Sequence, residues 1–214
     1  MVISDWISNN FIEIFGAVTG IIYVFLEIRQ TIWLWPVGII TSAVYIWVFF
    51  TSKFYADMSL QGYYLVISIL GWYWWTRGKN GRKEEGERGT VGEGENSELK
   101  VTRLKLRTGV ILAIVFILLY VVMWFVLTRL TDSPVPIRDS FITSLSIVAT
   151  WMLARKIYEH WFLWIVVNFV SAVLFLTRGL YPTVILYVVY GIMSFAGLVA
   201  WNKTIINDLS ASEK

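Results

Sequence analysis

Seven apolar runs constrain this chain more than any other feature. They cover about residues 11–28, 33–50, 58–76, 106–130, 138–155, 161–178 and 182–201. A bilayer core takes roughly 20 apolar residues as a helix, and within it each backbone polar group must be bonded inside its own segment. The runs therefore predict an all-α integral membrane protein with seven transmembrane helices. Of 214 residues, 57% are hydrophobic and 15% charged, which leaves no room for a sizeable soluble domain. No basic residue precedes the first run, whereas Asp5 does and Glu13 lies just inside it. The n-region of a signal peptide is thus missing, and the first span is expected to be retained.

The same composition narrows the chemistry. There is no cysteine and a single histidine, His160. Disulfides, thiol nucleophiles and multi-histidine metal sites are excluded, and a Ser-His-Asp hydrolase has little to stand on. No Gly-x-x-x-x-Gly-Lys-Ser/Thr loop is present. A seven-helix membrane enzyme would need a metal or acid-base cluster at depth, so no catalytic residue, metal or cofactor is expected. The formal charge of +3 is no nucleic-acid signal, because the basic residues gather where membrane topology wants them.

Residues 77–105 are rich in Gly, Glu, Lys and Arg and have no apolar face, which reads as a disordered linker. Seven spans put the termini on opposite sides. Fourteen Lys and Arg fall on the linker side, namely Arg29, nine between 77 and 107, Arg155, Lys156, Lys203 and Lys214; four fall opposite, namely Lys53, Arg129, Arg138 and Arg178. The positive-inside rule places the linker and C-terminus in the cytoplasm and the N-terminus outside. Arg155 and Lys156 read as topology-setting, and His160 as a solvated loop residue. Trp33, Trp35, Trp72, Trp74, Trp75, Trp161 and Trp201 lie near inner span ends and suit an interfacial aromatic belt.

The chain also repeats itself. Leu34-Trp35 aligns with Leu163-Trp164, and Ser42-Ala43-Val44 with Ser171-Ala172-Val173, at an offset of 129. Beyond the next loop the offset becomes 126, matching Tyr64 with Tyr190, Ser68 with Ser194, Gly71 with Gly197 and Trp75 with Trp201. Spans 1–3 thus resemble spans 5–7. An odd linking helix gives both triplets the same orientation, a 3+1+3 parallel repeat about an axis along the membrane normal. The divisions expected are a first three-helix repeat over 1–76, the linker over 77–105, a linking helix over 106–130, a second repeat over 131–201 and a cytoplasmic tail over 202–214.

The third span of each triplet carries a polar stripe. Asp57, Gln61, Tyr64, Ser68, Gly71 and Trp75 fall on one helical face, as do Thr183, Tyr187, Tyr190, Ser194, Gly197 and Trp201. Span 5 adds Asp139, Thr143, Ser146 and Thr150, and span 6 adds Trp161, Trp164, Asn168 and Ser171. Small and hydroxylated residues let membrane helices approach, so the serines and glycines read as packing. An amide in a membrane span needs a partner or a task. Trp164, Asn168, Gln61, Tyr64, Tyr187 and Tyr190 are therefore the candidate substrate-binding residues. At these offsets Asn168 faces Ile39 and Gln61 faces Tyr187, so a symmetric scaffold would hold an asymmetric set of polar groups. Aromatic faces with neutral amides and hydroxyls suit a small, flat, hydroxylated ligand, cationic or not. Asp57, Asp139 and Thr143 are candidates for a gate or outer contact, against a helix-capping role for the two acids. Glu13, Glu27, Asp57 and Asp139 all sit near span ends, away from mid-depth, which favours uncoupled passage over proton symport.

TDSPVPIRDSFITSLSIVATWMLARKIYEHWFLWIVVN (131–168), RGLYPT (178–183), WLWPVGI (33–39) and FYADMSLQGYY (54–64) together resemble the PnuC-type vitamin transporters. The resemblance covers nearly the whole chain outside the linker. It implies a 3+1+3 plan similar to the SWEET sugar transporters in full-length form. It also implies facilitated diffusion of nicotinamide riboside, a precursor for NAD biosynthesis, by a homotrimer in the bacterial inner membrane, with a cytoplasmic kinase trapping the product. The family's Trp-x-x-Trp motif falls on Trp161 and Trp164, with Asn168 following. Asn168 can bond a ribose but brings no charge to a pyridinium, so thiamine, riboflavin and deoxynucleosides stay open as substrates. A purely structural or sensing membrane protein is the remaining alternative.

Overall fold

A computed structural model describes residues 11–51, 55–77, 99–129 and 135–212. It contains seven helices: α1 (Phe11–Ile28), α2 (Leu34–Thr51), α3 (Tyr55–Arg77), α4 (Leu106–Arg129), α5 (Pro136–Ala154), α6 (His160–Thr177) and α7 (Tyr181–Ser212). Four of them, α2, α4, α6 and α7, are long and apolar enough to cross a membrane by themselves. In α5, serines 140, 144 and 146 and Thr150 lower the average, and these are buried. Their polarity points into the bundle, where hydroxyls can bond within it; Thr150 Oγ1 donates to the Ser146 carbonyl at 2.8 Å. The last helix continues eleven residues past the expected span end at 201, through Ser212.

Local chemistry sets the boundaries. Pro136 opens α5, where its missing N–H costs nothing. Gly179, with φ of 71°, ends α6 in the left-handed region that favours glycine. Two other residues take that conformation, Gln30 after α1 and Lys156 after α5, at φ of 54° and 49°. They are 126 positions apart (156 − 30) and each lies two residues past the end of its helix, α1 or α5.

Helix neighbours follow the same relation. α2 packs on α3 as α6 does on α7, α1 on α2 as α5 on α6, and α1 on α7 as α5 on α3. The outer edge of the Trp35 indole lies against Gly71, and that of Trp161 against Gly197; a Cβ at either glycine would collide with the ring. Trp35 meets Trp75 edge-on at 5.3 Å, and Trp161 meets Trp201 edge-on at 5.8 Å. Both sets are related by 126 (161 − 35, 197 − 71, 201 − 75). The 129 offset expected for the second spans is therefore replaced by 126, which puts Ser42, not Ile39, opposite Asn168. Apolar sequence offers many chance matches, and only the contacts choose among them.

Those four tryptophans also depart from the belt expectation. Trp35, Trp161 and Trp201 are wholly buried and Trp75 is 5% exposed. Together with Leu34, Leu153 and Ala154 they form the main apolar cluster of the bundle, at its linker end. Trp33 and Trp72 do stay on the surface. The linker expectation changes as well. Residues 78–98 lie outside the described residues, but Leu99–Lys105 packs onto the bundle. Thr102 N donates to the Lys156 carbonyl and Tyr158 N to the Thr102 carbonyl, both at 2.9 Å, and Leu104 N donates to Glu159 Oε2 at 2.7 Å. Helix α4 contributes no buried residue and rests mainly on α5.

Candidate functional site

A cavity of about 330 Å³ opens between α1, α2, α3, α5, α6 and α7. It is lined by Gln61 and Tyr64 from α3, Trp164 and Asn168 from α6, and Tyr187 and Tyr190 from α7. The structure thus brings all six candidate residues to one space. Its volume lies at the lower end of the range for small-molecule sites.

The walls come in matched pairs. Gly16 and Ile142, Gly20 and Ser146, Val24 and Thr150, Gly38 and Trp164, Thr41 and Val167, Ser42 and Asn168, Gln61 and Tyr187, Tyr64 and Tyr190, and Ser68 and Ser194 all line it, each pair 126 positions apart. Only two of these pairs, Tyr64 with Tyr190 and Ser68 with Ser194, keep the same residue. The largest departure is on α2 and α6, where Gly38 and Ser42 stand opposite Trp164 and Asn168. One wall is therefore open backbone and a hydroxyl, and the other is an indole and an amide.

Asn168, Tyr187 and Tyr190 are held from behind. Asn168 Nδ2 donates to Ser194 Oγ at 3.1 Å, and Ser194 Oγ donates to the Tyr190 carbonyl at 2.8 Å. This fixes the Asn168 amide and leaves its second N–H and Oδ1 for other partners. Tyr187 stacks on Phe175 at 5.3 Å and meets Tyr190 edge-on at 5.9 Å. The Tyr190 hydroxyl end rests against Gly20, whose lack of a side chain makes the room. Trp161, Trp164 and Thr41 line the cavity, and their indole N–H groups and hydroxyl are buried with no hydrogen-bond partner among the described residues. A buried donor without a partner costs about 1–3 kcal/mol, so these groups gain when a polar ligand or water meets them.

Asp139 and Thr143 do not reach this cavity. They line a smaller hollow of about 240 Å³ with Leu60, Met123, Leu127 and Phe175. Ile142 and Tyr187 belong to both spaces and so form the wall between them. The Asp57 side chain lies outside the described residues.

Sequence reasoning missed the first helix. Gly16, Thr19, Gly20, Tyr23, Val24 and Glu27 line the cavity along one face of α1, over about 16 Å at 1.5 Å per residue. The signal was present as small and polar residues at helical spacing, but weak beside the other stripes. One expectation gains a detail here and another is corrected. Glu27 lies one residue from the end of α1, yet it points inward and is 2% exposed. His160 is no solvated loop residue; it begins α6, is 0% exposed, and its Nε2 lies 3.0 Å from Glu27 Oε1. Lys156 is likewise buried, with its ammonium 4.3 Å from the centre of the Trp75 ring. It does more than mark a membrane side. Among the described residues no group of three or more His, Cys, Asp and Glu is arranged to hold a metal.

Six helices around an aromatic cavity, with α4 packed outside them, define a multi-pass membrane protein built to hold a small molecule within its own core. Residues 10–203 match the model of a family described as nicotinamide mononucleotide transporter. The chain belongs to that family of membrane transporters. It is 27% identical over 216 residues to the nicotinamide riboside transporter PnuC of Escherichia coli K12, covering 90% of this chain and 85% of that protein. It is 25% identical over 189 residues to the riboflavin/roseoflavin transporter RibM of Streptomyces davaonensis, covering 88% and 83%. Its fold matches the crystal structure of the vitamin B3 transporter PnuC with a TM-score of 0.68 and 26% identity, over 94% of this chain and 84% of that one.

Proposed function

We propose that this protein carries nicotinamide riboside across the bacterial cytoplasmic membrane by facilitated diffusion. The observation that carries the reading is the cavity's chemistry. It offers aromatic faces, amides and hydroxyls, and among the described residues no lysine or arginine lines it. A phosphate dianion would find no cation there, which favours the riboside over its mononucleotide. In this reading Trp161 and Trp164 stack on the pyridinium ring, a cation on an aromatic face. Asn168 and Gln61 bond the ribose hydroxyls and the carboxamide, and Tyr64, Tyr187 and Tyr190 close the sides. Asp139 and Thr143 belong to an outer gate behind Tyr187, and Asp57 is assigned to the same gate from its sequence position alone.

The helix neighbours and the pairs at 126 support a 3+1+3 parallel repeat of SWEET-like plan. The charge census supports a cytoplasmic linker and C-terminus. A homotrimer, and a cytoplasmic kinase that traps the riboside for NAD biosynthesis, complete the proposal. Uncoupled passage is favoured because Glu27, the single carboxylate among the described residues that lines the cavity, is already bonded to His160.

The test is uptake of labelled riboside into proteoliposomes enclosing a trapping kinase, with and without a pH gradient. Mononucleotide, thiamine and riboflavin serve as competitors. Riboside uptake independent of the gradient and insensitive to mononucleotide is expected. No uptake, or uptake of thiamine or riboflavin alone, refutes the assignment.

A further inference from the structure

Glu27 and His160 form a buried polar pair against the main apolar cluster of the bundle. The His160 ring lies between two indoles, its centre 4.7 Å from Trp161 and 4.7 Å from Trp201. Its Nδ1 lies 2.7 Å from the Ile157 carbonyl. A carbonyl only accepts, so Nδ1 carries a proton. Nε2 then either donates to a carboxylate or accepts from a carboxyl group. In both cases the two side chains share one proton and are neutral as a pair. Two more bonds fasten the same end of α1 to α7: Trp201 Nε1 donates to the Glu27 carbonyl and Gln30 Nε2 to Thr204 Oγ1, each at 3.1 Å.

The other triplet solves the same problem differently. Shifted by 126, Glu27 corresponds to Leu153 and His160 to Leu34. Both leucines are 0% exposed and belong to the main apolar cluster. At the level of these two positions the α5 seam is therefore closed by leucine packing, with Lys156 lying over Trp75 beside it, where the seam of α1 with α7 and the start of α6 is closed by hydrogen bonds.

The two seams differ in what it takes to part them. Opening an apolar contact to water exposes hydrocarbon surface, and nothing is returned. Opening a buried polar pair loses its mutual attraction, but both groups regain hydration; the two effects largely cancel. Glu27 also lines the cavity, with Trp161 beside it. A parting here would connect the cavity to the linker side.

Building on the transport reading, we infer that Glu27–His160 is the latch of the cavity's linker-side gate. That gate opens by parting α1 from α6 and α7, while the α5 seam stays shut.

Cross-linking tests this, because the natural chain has no cysteine to interfere. Glu27→Cys with His160→Cys is joined by a short bifunctional methanethiosulfonate in proteoliposomes. Uptake is expected to fall at least tenfold and to recover on reduction. The corresponding pair, Leu34→Cys with Leu153→Cys, is expected to keep uptake within twofold when joined. A block from both cross-links, or from neither, overturns the latch. A second arm replaces the link with the other triplet's solution, Glu27→Leu with His160→Leu. Because Glu27 lines the cavity, riboside affinity in detergent is measured beside uptake, and uptake is expected to fall at least tenfold more than affinity. Unchanged uptake, or affinity lost in step with uptake, overturns the proposal. Riboside, thiamine and riboflavin are offered separately, and the cross-linking arm is read with whichever the natural chain carries. Absence of riboside uptake alone then refutes the substrate and leaves the latch under test; a natural chain that carries none of the three overturns both.

Discussion

Gly197→Ala reaches the floor of the cavity without touching the cavity itself. The added methyl group would meet the outer edge of the Trp161 indole, and Trp161 lines the cavity. Trp161 cannot retreat freely, because His160 and Trp201 pack on it at 4.7 and 5.8 Å. Overpacking of this kind costs about 1–3 kcal/mol. Gly71→Ala makes the same clash with Trp35, which does not line the cavity. The two substitutions are therefore expected to cost similar stability and to differ in ligand binding. If Gly197→Ala displaces one stacking face, about 0.5–1.5 kcal/mol of aromatic contact is lost, and Kd rises about two- to twelvefold. Gly71→Ala should leave Kd unchanged. Thermal unfolding in detergent measures the first quantity, and titration calorimetry with riboside the second. Adding Trp161→Phe to Gly197→Ala should recover part of the stability, with a coupling energy of about 1 kcal/mol. Equal effects of the two glycine substitutions on Kd, or no coupling between positions 161 and 197, would refute this account of the cavity floor.

Two further substitutions separate the site from its scaffold. Asn168→Ala removes the bond to Ser194 and the amide facing the cavity; if a riboside hydroxyl is left unpaired at about 1–3 kcal/mol, calorimetry should show Kd raised about five- to 150-fold. Tyr63→Phe removes the bond from the Tyr63 hydroxyl to the Ile147 carbonyl at 2.8 Å, which ties α3 to α5 outside the cavity. It should cost about 0.5–1.5 kcal/mol in thermal unfolding and leave Kd unchanged.

The seven helices could be read from the sequence because a bilayer permits little else for long apolar runs. The polar stripes could be read for a related reason: Gln61, Tyr64, Asn168, Tyr187 and Tyr190 would be costly against lipid, so they had to share an interior. Tryptophan carries no such restriction. It suits both the membrane interface and a tight core, and only the glycines at 71 and 197 show that Trp35 and Trp161 took the core. Glu27 and His160 escaped notice because each looks unremarkable alone. Their partnership spans 133 positions, and no periodicity within one helix reports it. The offset of the repeat was misread over α2 and α6 because Gly38 and Ser42 share no identity with Trp164 and Asn168. The divergence that makes the cavity asymmetric is what hid the alignment.

The short bridge between Thr102 and Ile157 has a mechanical consequence. The chain is anchored to the α5–α6 turn before α4 begins, so strain arising upstream ends at that anchor. Insertions or a protease nick between residues 78 and 98 would leave α4 seated where it is. Doubling the length of such a connection costs only about 0.6 kcal/mol in closure entropy. The stretch before Leu99 is thus free to vary between relatives, or to accept a fused tag, without disturbing the bundle.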